Sequence, residues 1–208
     1  KTQPADAILA LADAGQRAFG ENYVQETAAK RQVLDATPIG AALEWHLIGH
    51  LQSNKAREAA TLFDWVQSVD RASLVAALAK HRSPDLPPLN VLIQVNIDDE
   101  SSKHGCAPEE VDALAAAIAA EPTLRLRGLM AIPAPWPEAE RRRDAFVRMR
   151  TLFQSLAAQH AQIDTLRIKL LKLAAVVTRN TRRIRLYFAS NWPSAPIFAQ
   201  AMRALGSS

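Results

Sequence analysis

An α/β architecture built on a parallel sheet is what this sequence predicts, and three observations lead there. Strand-like and helix-like segments alternate along the chain. Five strands fall between residues 17 and 132, and every connection between them is long enough for a crossover helix. Three strand ends, in the segments 19–26, 44–55 and 91–97, run from apolar sequence into polar residues. Alternation is compatible with a closed (β/α) barrel and with an open, doubly wound sheet.

The elements follow in order. Helical periodicity over 5–14 precedes a short strand over 17–21, and 24–36 is helical again before the strand 44–49. A helix over 56–62, a strand over 65–69 and a helix over 71–82 come next. The proline-rich turn 83–88 feeds the apolar strand 90–97. Residues 107–120 form a helix with Pro108 in its first turn and Glu109 and Glu110 placed to meet the positive end of its dipole. A strand over 125–132 and a long helix over 137–159 complete the series.

Composition bounds the class. The chain has 208 residues, 49% hydrophobic and 22% charged, enough for one well-buried domain. No apolar run approaches the roughly 18–20 residues that span a bilayer, and no secretory signal is visible. The lone Cys106 excludes an intramolecular disulfide framework and a paired-cysteine metal or redox site. Cytoplasmic placement is expected.

The net charge of +4 is unevenly spread. Residues 164–208 carry eight Lys or Arg against the single acid Asp164, a balance of +7, which leaves −3 for residues 1–163. Two regions are therefore expected, a body over 1–163 and a divergent basic segment over 164–208. The run Arg179 to Arg185, followed by Tyr187, Phe188 and Trp192, has a composition that could contact nucleic acid, but with no recognised module a solvated basic run is the preferred reading.

His46 and His50 are four residues apart. That spacing aligns side chains on a helix, whereas a strand and turn are expected here, so no metal is expected and both are read as packing at the sheet end or as pocket lining. Asn22 and Asn54 either donate to a ligand's oxygens or cap the next helix, and both readings stay open. Glu21, Asp70 and Arg71 read as local ion pairs, and Met130 as core lining.

Several motifs together carry a family resemblance. Lys1-Thr2-Gln3-Pro4, the FGENYVQE segment from Phe19, the EWHLIGHLQSNK segment from Glu44, Ser68-Val69-Asp70-Arg71, the QVNI segment from Gln94 with Lys103 and Gly105 after it, and Arg127-Gly128-Leu129-Met130 occur in one order. In that order, over residues 1 to about 165, the chain resembles the pyridoxal phosphate homeostasis protein family. The resemblance implies a TIM-type (β/α) barrel like the alanine racemase N-terminal domain, with pyridoxal 5'-phosphate held as an imine on Lys1. A lysine at a partly desolvated strand end suits that chemistry, because its amine is deprotonated more readily than in water.

The family also implies a monomeric cofactor carrier with no committed reaction, serving pyridoxal phosphate-dependent apo-enzymes. The cofactor-site residues expected on this basis are Lys1, Asn22, His46, Asn54, Met130 and Arg185, the last lying near an arginine of the family's final strand. A racemase of the same fold is the alternative; it would need two opposed bases, and Tyr23 and Tyr187 are the only tyrosines.

The chain departs from the family at both ends. No initiator Met, apolar strand or helix precedes Lys1, so the chain reads as a fragment with an incomplete first strand. After Asp164-Thr165-Leu166, the serine- and glycine-containing turns that hold phosphate in the family are missing, and the only glycine after Gly128 is Gly206. Atypical last strands and marginal stability are expected, because an open barrel leaves strand edges unpaired.

Overall fold

The computed structural model describes residues 3–101, 103–159, 178–180 and 183–185. They contain helices α1 (Ala5–Asp13), α2 (Val24–Leu34), α3 (Ala56–Leu62), α4 (Ala72–His81), α5 (Val111–Ala119) and α6 (Ala139–Gln159). The strands are β1 (Ala18–Glu21), β2 (Glu44–Leu47), β3 (Trp65–Val69), β4 (Leu89–Gln94), β5 (Leu124–Met130), β6 (Thr178–Asn180) and β7 (Arg183–Arg185). Among the described residues no helix is long and apolar enough to cross a membrane.

Strands β1 to β5 form one sheet in the order β1-β2-β3-β4-β5, with parallel pairing from β2 through β5. That order decides between the two architectures open to the sequence. A doubly wound sheet reverses its strand order at a switch point, whereas a barrel wall adds each strand beside the last. This is a TIM-type barrel wall. Strands β6 and β7 pair antiparallel as a separate two-stranded sheet.

The contacts divide the chain into two compact units. The first takes in α1, the second half of α2 from Ala29, the loop to Leu43 and the β6–β7 pair. Within it, α1 buries Ile8 and Ala12, and Arg17 donates to the Ala12 carbonyl at 2.5 Å, covering an acceptor left open at the helix end.

The second unit, residues 20–28 and 44–171, holds the sheet core. All five residues of β3 are buried, as a strand covered on both faces requires. Trp65, Leu92 and Met130 meet in an apolar cluster on one face. Arg82, at the end of α4, is buried although charged. Its Nη1 donates to the carbonyls of Ala60 and Phe63 (2.6 and 3.0 Å), and its Nε and Nη2 both donate to the Pro87 carbonyl (2.9 and 2.7 Å). One guanidinium thus caps α3 and fastens the proline turn that delivers β4.

The helix expected over 107–120 begins differently. Pro108–Glu110 is a 3-10 turn, with the Glu110 carboxylate accepting from the Ala107 N–H at 2.8 Å before α5 starts at Val111. Strand β4 stops at Gln94, but Val95 continues as a bridge to Cys106.

Candidate functional site

The loops that leave the C-terminal ends of β1, β2 and β4 enclose a cleft of about 470 Å³. Its walls are Asn22, Tyr23, Val24 and Gln25 from the first loop, Gly49 to Gln52 and Lys55 from the second, and His104 from the third. Among the described residues no Asp or Glu lines it. A cleft with side-chain amides, a lysine and two histidines but no carboxylate favours an anionic ligand.

Close backbone packing forms the cleft. The Ile48 N–H donates to the Glu21 carbonyl at 2.9 Å, joining the ends of β1 and β2. The next residue must be glycine, because a Cβ on Gly49 would stand 2.3 Å from the Asn22 carbonyl oxygen. Ser68 Oγ donates to the Gly49 carbonyl (2.7 Å), and Arg71 Nη2 donates to the Leu51 carbonyl and Ser53 Oγ (both 3.0 Å), tying the loop to β3. The third loop folds back at Gly105, whose φ of +130° is open to glycine and rarely to other residues. Gln94 Nε2 donates to the His104 carbonyl at 3.0 Å, and Cys106 N–H to the Gln94 carbonyl at 2.9 Å.

These restraints bring His50 and His104 face to face, with ring centroids 3.6 Å apart and planes 13° from parallel. Asp70, just past β3, puts Oδ2 3.6 Å from His50 Nδ1, while its Oδ1 accepts from Arg71 at 2.5 Å. Burial, and then the neighbouring His104, lower the His50 pKa from its ordinary value, against the opposing pull of Asp70.

His46 sits elsewhere. It is buried on β2, with Nε2 2.6 Å from Glu44 Oε1 and Nδ1 2.7 Å from Gln67 Nε2, and its ring stacks on Trp65 at 5.2 Å. With the carboxylate as acceptor, the proton belongs on Nε2, and Nδ1 accepts from the Gln67 amide. Gln67 Oε1 is buried and accepts no hydrogen bond from the described residues. Over the same Trp65 ring lies the Arg127 guanidinium, 5.7 Å from its centroid, with Nε donating to Asn90 Oδ1 at 2.8 Å.

Of the six expected cofactor residues, Asn22 lines the cleft. His46 lies in the buried polar network, and Met130 is fully buried in the apolar cluster. Asn54 is exposed in the 3-10 turn Ser53–Lys55, next to the cleft residue Lys55. Arg185 ends β7. Lys1, and all of the divergent segment 164–208 except residues 178–180 and 183–185, lie outside the described residues.

Sequence reasoning missed His104 and Asp70 as partners of His50: His50 sat in a segment marked as a strand end, Asp70 was read as a local ion pair, and His104 was not singled out. The signal available was the rule that parallel strands deliver their C-terminal residues to one end of the sheet.

Comparison with known proteins places these features. Residues 3–177 match the family model described as alanine racemase, N-terminal domain. The chain is 51% identical over 166 residues to the pyridoxal phosphate homeostasis protein of Escherichia coli K12, covering 80% of this chain and 70% of that one. It is 49% identical over 166 residues to the protein of the same name from Pseudomonas aeruginosa, with coverage of 80% and 69%. Among solved structures, PipY of Synechococcus elongatus without PLP superposes with a TM-score of 0.72 at 35% identity, covering 79% of this chain and 75% of PipY. PipY with PLP bound gives 0.69 at 34%, with the same coverage. An alanine racemase of Clostridium difficile, 13% identical with a TM-score of 0.60 over 79% of this chain and 43% of its own, shares the fold.

Proposed function

The chain belongs to the alanine racemase N-terminal domain family and, within it, to the pyridoxal phosphate homeostasis proteins; from that premise we propose that it binds pyridoxal 5'-phosphate and carries it without a committed reaction. The observation that carries this reading is the cleft at the strand ends, rich in donors and without carboxylates. Its volume of about 470 Å³ lies within the range of small-molecule sites, and its lining suits a phosphate-bearing ligand.

When bound, the cofactor supplies an aldehyde that a lysine amine can hold covalently and a ring that accepts electrons. The chain's own residues bind and orient. Asn22 and Lys55 offer donors at the cleft wall. His46, its proton kept on Nε2 by Glu44, stiffens the ends of β2 and β3, and Met130 and Trp65 exclude water from the adjoining sheet face. Lys1 is the proposed covalent anchor, with Asn54 and Arg185 as further contacts. We assign recipient apo-enzymes, a monomeric state and a cytoplasmic location on the same family basis.

The test is cofactor titration with borohydride trapping and peptide mapping, comparing this chain with Lys1→Ala and with a chain whose α-amine is blocked. One cofactor per chain on the Lys1 side chain supports the proposal. Labelling confined to the α-amine, or scattered over many lysines, refutes it. The racemase reading rests on Tyr23, which lines the cleft and is 62% exposed. Loss of an amino acid's α-deuterium in the loaded protein would favour it over a carrier.

A further inference from the structure

We propose that His50, Asp70 and His104 form a binding site for a divalent transition-metal ion of zinc's type, held at the ends of three adjacent strands. The three side chains can each turn one ligand atom into a space where all such atoms lie within 4.8 Å of one another. They come from the loops after β2, β3 and β4, consecutive neighbours in the sheet. The sequence expectation of no metal considered His50 only with His46, which the fold buries in a different network.

The spacing fits an ion better than it fits direct contact. The 3.6 Å between His50 Nδ1 and Asp70 Oδ2 is too long for a hydrogen bond. Ligand atoms about 2.0–2.1 Å from a tetrahedral zinc stand about 3.3–3.5 Å apart, so this pair already spans close to the required distance. The bound of 4.8 Å on the three separations, with the two rings stacked 13° from parallel, calls for one imidazole to turn about its side-chain torsions so that both nitrogens face the ion.

Outer contacts orient the ligands as metal sites require. Asp70 Oδ1 is held by Arg71, which is itself anchored on the Leu51 carbonyl and Ser53 Oγ, leaving Oδ2 on the His50 side. His104 is set by the Gln94 contact to its carbonyl and by the Gly105 turn beside it. Two imidazoles and one carboxylate match zinc and its first-row neighbours rather than calcium or magnesium, which prefer oxygen ligands. Three protein ligands leave a fourth position open, and because His50 and His104 also line the cleft, that position adjoins it.

The experiment uses the full chain, stripped with a chelator and free of cofactor, so its outcome is independent of the pyridoxal phosphate reading. Cobalt(II) is titrated while the visible ligand-field bands are followed, and zinc(II) is then added to displace it. Expected are one cobalt per chain with the intense bands of a low-coordinate site, quenching by zinc, and the same result for His81→Ala. His50→Ala and His104→Ala should lose the bands, and Asp70→Asn should weaken binding by about tenfold or more. Since a variant could also fail to fold, imidazole nitrogen NMR of the unmodified chain gives a separate readout, with zinc shifting the resonances of His50 and His104 and leaving His81 unmoved. No cobalt uptake by the unmodified chain, equal uptake by the His50 and His104 variants, or shifts on other histidines only would overturn the proposal.

Discussion

Replacing Gly105 with alanine tests how the third loop is held against β4. Gly105 has φ +130°, and a Cβ there would lie 2.5 Å from the Asn96 nitrogen and 2.8 Å from the Val95 carbonyl carbon. The conformation alone costs a non-glycine residue about 1–3 kcal/mol. Relief of the overlap requires the loop to lift, which opens two backbone hydrogen bonds, Asn96 N–H to Cys106 O and Cys106 N–H to Gln94 O, both 2.9 Å. Each contributes about 1 kcal/mol, so the loss totals about 3–5 kcal/mol. That is a large share of the roughly 5–15 kcal/mol that stabilises a typical domain. Urea unfolding followed by far-ultraviolet circular dichroism should show a lower midpoint with an unchanged slope. A loss below about 1 kcal/mol would refute the reasoning, because an overlap this close to backbone atoms cannot be absorbed so cheaply.

Three more outcomes are expected. Arg82→Met keeps the buried stem but strands the Ala60, Phe63 and Pro87 carbonyls, and should cost about 3 kcal/mol in urea unfolding, with Arg82→Lys recovering only part; a loss within about 0.5 kcal/mol would show that these acceptors find other donors. Gly49→Ala forces the Asn22 backbone away from the β2 loop, and cofactor affinity measured by titration should fall about tenfold or more while β3 to β5 retain their hydrogen-exchange protection; unchanged affinity would remove this wall from the binding site. Burial pushes the Cys106 thiol up to about 12, so alkylation at mildly alkaline pH should be slow in the folded chain and fast in denaturant, and rapid labelling of the folded chain would mean the third loop opens freely.

Most elements were legible because helix and strand periodicities are local. The alternation placed all five strands of the sheet and the helices between them, and the polar sequence at 19–26, 44–55 and 91–97 marked the end of the sheet where the cleft lies. The 3-10 start before α5 was less visible, because Pro108 with two following acids suits either kind of first turn.

The sequence by itself determined the β–α order, the apolar faces and the family's motifs, all properties of residues close together along the chain. Only the tertiary structure decided that the strands add in the order β1-β2-β3-β4-β5, since periodicity says which face of a strand is buried and nothing about which strand lies beside it. The same holds for the side chains. His46 and His50 are neighbours in sequence, yet one is sealed between Glu44 and Gln67 and the other stands against His104 and Asp70. Parallel crossovers return each strand's C-terminal end to the same side of the sheet, so residues distant along the chain meet there, and Gly105 and Arg71 then fix how closely they approach.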